Sequence, residues 1–206
     1  MVIVLLPFIY LAYVWNQLPA EVPIHWNFKG EIDRYGSKLE LVLVLFLLPV
    51  LTYVILQVAP KIDPKGELKK MGNKFQRIKF ALVSFTSIIA MLIIYFSKNQ
   101  TLTNPNYILL VIGLLYIVFG NYAQTLKANY FIGIRTPWTL ENETVWNKTH
   151  RIAGRLFFIG GIIVVLTSLI LEKQQNFYLF FIITGIITII PLVYSYLIFK
   201  NLKQTA

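Results

Sequence analysis

Residues 41–59 read LVLVLFLLPVLTYVILQVA, without one Asp, Glu, Lys, Arg or His. Wound as an α-helix at about 1.5 Å per residue, a run of this length crosses the roughly 30 Å hydrocarbon core of a bilayer. Hydrocarbon offers no partner to an unpaired peptide group, so such a run is read as helix, whose backbone bonds internally. The same reading applies to 2–18, 80–97, 107–126, 156–171 and 177–199, none of which alternates with the period of two of a porin strand. The sequence therefore predicts an all-α, polytopic membrane protein with six transmembrane helices.

Composition agrees. Of 206 residues, 57% are hydrophobic and only 14% charged, against about a quarter charged in soluble domains. The first segment has neither a basic leader nor a small-residue cleavage pattern, so it reads as a retained span and not as a secretory signal. The absence of Cys removes disulfides, thiolate nucleophiles and thiolate metal ligands together.

Orientation follows from the cations. Most of the 19 Lys and Arg lie in the connection 60–79 (Lys61, Lys65, Lys69, Lys70, Lys74, Arg77, Lys79), in 127–155 (Lys127, Arg135, Lys148, Arg151, Arg155) and in the tail (Lys200, Lys203). The positive-inside rule places these segments, and both termini, in the cytoplasm of a cell-membrane protein. The net charge of +10 is thus accounted for by topology and by attraction to membrane lipids, without direct nucleic-acid binding. Two regions are expected. Residues 1–79 hold two spans, an outer loop 18–38 and the basic inner loop 60–79; residues 80–206 hold four spans and an inner loop 127–155.

Within this frame the outer loop carries a short strand-like run at 22–28. Leu68, Met71 and Phe75 recur at helical steps and suggest a segment lying on the membrane surface. Pro49 and Pro191 are expected to kink their helices. Gly113, Gly120, Gly160, Gly161 and Gly185 are expected to let helices approach closely, and Asn121 and Gln124 to bond between helices. No ionisable group other than Tyr occupies the last five spans, which argues against a proton relay.

The least ordinary connection is FIGIRTPWTLENETVWNKTHRIAG, residues 131–154. Pro137 ends what precedes it, and Thr139 is expected to cap a helix with Glu141 and Glu143 in its first turn and His150 and Arg151 in its last. Val145, Trp146, Thr149, Ile152 and Ala153 fall on one face; Glu143, Asn147, His150 and Arg151 fall on the other, as in an interfacial amphipathic helix. Arg captures carboxylate or phosphate well and Trp anchors interfaces, so the cluster reads either as a binding site or as interface anchoring. Catalytic signatures are missing: no nucleophile stands beside a base, and the two His, His25 and His150, lie on opposite sides of the membrane. No metal site and no cofactor is expected.

The run Asn129–Thr139 (NYFIGIRTPWT), followed by Val145-Trp146, Thr149-His150-Arg151 and Gly154, resembles the signature of the SdpI/YfhL family of bacterial membrane proteins. The outer loop LPAEVPIHWNFKGEIDRYGSK, residues 18–38, resembles a small domain of unknown function that often precedes it. The resemblance implies an immunity protein giving resistance to a secreted antimicrobial peptide toxin, and a receptor that sequesters a transcriptional repressor at the membrane; it implies no enzyme. The binding residues it implies at the inner face, for toxin or partner, are Asn129, Gly133, Arg135, Thr136, Pro137, Trp138, Thr139, Trp146, Thr149, His150 and Arg151. In the outer loop they are Pro23, His25, Trp26, Asn27, Gly30, Asp33 and Lys38. Two alternatives stand beside this reading: a membrane enzyme acting on lipid or peptide through His150, Glu143 and Arg151, and a transporter not coupled to protons.

Overall fold

The computed structural model describes residues 2–27, 31–100 and 104–204. Five helices among them are long and apolar enough to cross a membrane: Lys38–Ile62, Asn73–Asn99, Asn106–Ala123, Glu143–Ile170 and Lys173–Gln204. Val2–Gln17 is a shorter apolar helix. The chain is a mostly helical, multi-pass membrane protein.

In chain order the elements are α1 (Leu6–Val14), β1 (Glu21–Trp26), β2 (Ile32–Ser37), α2 (Lys38–Leu45), α3 (Leu51–Ile62), α4 (Glu67–Lys70), α5 (Asn73–Asn99), α6 (Asn106–Ala123), α7 (Pro137–Glu141), α8 (Glu143–Ile170) and α9 (Lys173–Gln204). The strands form an antiparallel hairpin whose register shifts on either side of His25. β1 matches the run read from the sequence, as far as Trp26; Phe28 lies outside the described residues. β2 has no apolar alternation to announce it. Its end is fixed by Ser37, whose hydroxyl accepts the Glu40 N–H at 3.3 Å while the Glu40 carboxylate accepts the Ser37 N–H at 2.6 Å. This capping box starts α2.

Proline acts differently at its two expected kinks. Around Pro49 the ladder widens into a π turn, Phe46–Val50, that joins α2 to α3; the missing N–H is absorbed by the looser turn. Pro191 is buried inside α9, which continues through it.

The helices turn their large side chains outward. Ile159, Leu169, Ile182 and Ile189 are all more than half exposed, a surface that only lipid satisfies. Where α6 meets α8 the interior uses small residues instead. A Cβ on Gly161 would lie 2.7 Å from the Gly113 carbonyl oxygen, and one on Gly154 would lie 2.9 Å from that of Gly120. α6 and α8 thus meet backbone to backbone at two places seven residues apart on each helix, running antiparallel. Gly160 lies against Ile187, but Gly185 has open space beside it and contributes no close approach.

The two ends of the bundle are built differently. At one end the hairpin sits on α5: Ser97 donates its hydroxyl to the Pro23 carbonyl at 2.8 Å, and Trp26 meets Phe96 edge to face. There Asn106 of α6 donates to the Leu171 carbonyl and accepts from Asn176 of α9, each at 3.0 Å. At the other end, rich in cations, the connections 63–72 and 124–142 fold over the helix ends.

Leu68, Met71 and Phe75, expected on the membrane surface, are buried there with Leu126, Ala128, Ile132 and Trp146. The facing loop covers their apolar stripe more completely than a lipid interface would. Asn121 and Gln124, expected to bond between helices, are exposed.

Candidate functional site

The inner motif is a loop organised by one buried amide. Asn129 is fully buried; its Nδ2 donates to the carbonyls of Lys127 (2.8 Å) and Ile132 (3.0 Å), and its Oδ1 accepts the N–H groups of Phe131 and Ile132, both at 2.8 Å. All four hydrogen-bonding positions of the amide go to backbone that would otherwise be unpaired. The loop then passes Gly133, at φ +117°, where a Cβ would stand 2.5 Å from His150 Nε2. Only glycine serves there, for backbone and for space.

His150 and Trp146 brace this loop from α8. Their rings stack with centroids 4.0 Å apart. Trp146 Nε1 donates to the Leu126 carbonyl at 2.8 Å, and the Ile134 N–H donates to His150 Nε2 at 3.0 Å. His150 Nδ1 lies 2.9 Å from the Trp146 carbonyl, which has only lone pairs to offer. The ring is therefore neutral, with its proton on Nδ1 and both nitrogens in use.

The helical boundaries differ from the sequence reading. Thr136, not Thr139, caps α7, with Thr139 Oγ1 accepting the Thr136 N–H at 2.8 Å and donating to the Ile134 carbonyl at 2.9 Å. α8 begins separately at Glu143, capped by Asn142, whose Oδ1 accepts the N–H groups of Thr144 and Val145. It runs unbroken to Ile170, so His150 and Arg151 lie inside the helix and not in its last turn. His150, expected on the polar face, is buried with Val145, Trp146, Thr149 and Ala153. A polar ring turns inward because the loop supplies a donor and α8 an acceptor.

The remaining inner residues point elsewhere. Trp138 reaches α9, donating Nε1 to Ser195 Oγ at 2.5 Å and lying against Tyr196. Arg135 is exposed and donates to the Tyr130 carbonyl. Pro137 and Arg151 are exposed, and Thr149 is buried with no partner for its hydroxyl. Lys65, from the facing connection, bonds to the Leu140 carbonyl and lies over the Tyr130 ring. Glu143 and Arg151 are solvent-facing while His150 is enclosed, so the three do not assemble into the catalytic group considered from the sequence.

At the hairpin end, His25 Nδ1 and Asp33 Oδ1 are 2.6 Å apart. Asn27 clasps Glu31 through its Nδ2 and Oδ1, at 2.8 and 3.0 Å. Lys38 donates to the Trp15 carbonyl at 3.1 Å and covers its ring. Gly30 lies outside the described residues. Ile24, His25, Trp26 and Asn27 form one wall of a cavity of about 290 Å³; the other walls come from helices, chiefly Ile93 and Phe96 of α5, Leu109 of α6 and Phe177 of α9. The Trp26 indole N–H is buried and without a partner. The helical half of this cavity has no local signature: in one dimension Ile93, Phe96, Leu109 and Phe177 are ordinary span residues.

The bundle and its two dissimilar ends define a multi-pass membrane protein with a hairpin-lined cavity at one end and an interlocked Asn–Trp–His loop at the other. The SdpI/YfhL protein family matches residues 125–195, which include that loop, and the Domain of unknown function (DUF1648) matches residues 2–52, which include the hairpin. The chain is similar to Immunity protein SdpI of Bacillus subtilis (strain 168), with 30% identity over 169 residues, 81% of this chain and 78% of that protein. It belongs to the SdpI/YfhL family. No solved structure matches it.

Proposed function

We propose that this chain is an immunity protein of the cell membrane that protects its host from a secreted antimicrobial peptide toxin, captured at the hairpin end. In this reading the chain has six spans with both termini cytoplasmic, so the hairpin faces outward and the cationic end inward. The observation that carries it is the cavity beneath β1. It is mainly apolar, about 290 Å³, and has Trp26, His25 and Lys173 among its lining residues. An apolar hollow with a few convergent donors suits one or two side chains and a backbone carbonyl of a peptide. Family membership and the name of the Bacillus relative support the same class of function.

The inner residues take a different part. Asn129, Gly133, Thr136, Thr139, Trp146 and His150 serve one another and hold the loop rigid. Arg135, Pro137 and Arg151 stay exposed on it and offer a surface to a cytosolic repressor. For that receptor role the toxin must bind two arrangements of the chain unequally. The two-region organisation, 1–79 and 80–206, belongs to this proposal; α5 runs through the join and contacts both parts. The protein acts by binding and not as an enzyme.

The test is survival. A toxin-sensitive strain expressing the chain should survive exposure, and Trp26→Ala should lose that protection while inserting at normal levels. Undiminished killing with correctly inserted wild-type protein would end the immunity reading; full protection by Trp26→Ala would move the capture site elsewhere. A pull-down of a small DNA-binding repressor, with and without toxin, examines the receptor half separately.

A further inference from the structure

A second cavity, of about 520 Å³, opens at the cationic end between the close of α3 and the start of α5. Its polar lining is Lys61, Lys69 and Lys79 with Gln57 and Gln76, and no carboxylate is among the lining residues. Lys79 is only 8% exposed, yet among the described residues its partners are uncharged: Gln57 Oε1 at 2.8 Å and the face of Tyr53 at 5.7 Å. The nearby acids lie in their own connection and outside the lining, with Asp63 Oδ1 buried there without a partner. Glu67 pairs with Lys70 at 2.7 Å, and Asp63 Oδ2 accepts the Leu68 N–H at 3.2 Å. A buried cation without a counter-charge is costly unless an anion enters.

We propose that this cavity binds the phosphate of an anionic phospholipid headgroup. Three lysines lining one opening suit a phosphate oxygen cluster, and the two amide side chains supply further donors. A lipid is favoured over a soluble phosphate by what surrounds the opening. Leu56, Pro60 and Phe75 complete the lining, and Ile55, Val58, Ile62 and Phe80 on the same turns are exposed apolar side chains. They are placed to meet acyl chains while the lysines hold the head. The site thus goes beyond the general attraction of cations to a charged leaflet, because Lys79 is buried among its own helices and is reached only through this cavity. It does not depend on the immunity reading.

The experiment uses the full chain purified in a neutral detergent. Dioleoyl phosphatidylglycerol, dioleoyl phosphatidylcholine and sodium phosphate are the probes, with retained adducts read by native mass spectrometry and the thermal midpoint read in parallel. Wild type should retain phosphatidylglycerol over phosphatidylcholine and gain thermal stability from it. The double variant Lys61→Gln/Lys69→Gln should lose about tenfold in that retention, given the strength of lysine contacts at anionic lipid. Lys74→Gln/Lys127→Gln, which removes the same charge from outside the cavity lining, should retain phosphatidylglycerol as wild type does. Equal loss in both double variants would reduce the effect to overall charge and overturn the site. Stabilisation by sodium phosphate equal to that by phosphatidylglycerol would overturn the lipid as occupant. Lys61 and Lys69 are exposed, so their replacement leaves the fold intact. Should helicity fall nonetheless, Lys61→Gln alone is compared with Lys74→Gln alone: a larger loss of phosphatidylglycerol in the first supports the site, and equal loss overturns it.

Discussion

Ile134 donates its backbone N–H to Nε2 of His150, 3.0 Å away, and with the Trp146 bond to the Leu126 carbonyl ties the inner loop to the first turns of α8. The imidazole is a structural acceptor there, held flat against Trp146. His150→Leu should keep the bulk and lose the acceptor, costing roughly 1–3 kcal/mol for a buried N–H left unpaired. Thermal unfolding in detergent should show this as a lowered midpoint, with insertion unchanged. A midpoint equal to wild type would mean that Ile134 finds water or another partner.

Gly133 makes a companion case. Alanine there meets both a backbone at φ +117° and the His150 ring, so Gly133→Ala should destabilise by about 1–3 kcal/mol. Gly185→Ala, with open space beside it, should be close to neutral. Equal midpoints for the two variants would contradict the described path of the loop.

The seam between α6 and α8 gives a third expectation. Gly161→Val places a branched side chain against the Gly113 carbonyl and the Ile117 backbone and forces the helices apart. Overpacking of this kind costs typically 1–3 kcal/mol. Protease resistance of the detergent-solubilised protein should fall accordingly; unchanged resistance would show that the helices separate without cost.

Trp138 and Ser195 join the inner loop to α9 by one hydrogen bond. Trp138→Phe and Ser195→Ala should each cost about 0.5–1.5 kcal/mol, and the double variant little more than either alone. Strict additivity would show that the two side chains are not coupled.

The orientation in the proposed function is open to direct labelling, since the chain has no Cys to interfere. With Asn27→Cys and Asn147→Cys made separately, an impermeant thiol reagent on intact cells should label position 27 and spare position 147. The reverse pattern would invert the protein and, with it, the assignment of the toxin-facing end.

What could be read from the chain alone depended on how local the signal was. Long charge-free runs such as 41–59 gave their helices away, because length and apolarity are properties of one segment. The glycines at 113, 120 and 161 were legible as close-packing residues, although their pairing was not, since pairing needs a second helix. The inner motif is recognisable by its residue types but not by its geometry. His150 looked polar and outward on a helical wheel, but a wheel cannot contain the loop that returns over it with an Ile134 N–H. Leu68, Met71 and Phe75 form an apolar stripe whose spacing suits a membrane surface equally well, and only the fold brings Leu126, Ala128 and Ile132 over it. The hairpin cavity was half visible, through Trp26 and His25, because its other half comes from three helices remote in sequence.

The meeting of α6 and α8 has a mechanical consequence. Where bare backbones touch at Gly113, Gly120, Gly154 and Gly161, no rotamer is available to absorb a push. A seam without side chains to rearrange favours movement of the two helices as one body over independent tilting. Asn106 and Leu171 are joined at one tip of the pair, and Trp146 grips the Leu126 carbonyl near the other, so its ends are fastened as well as its middle.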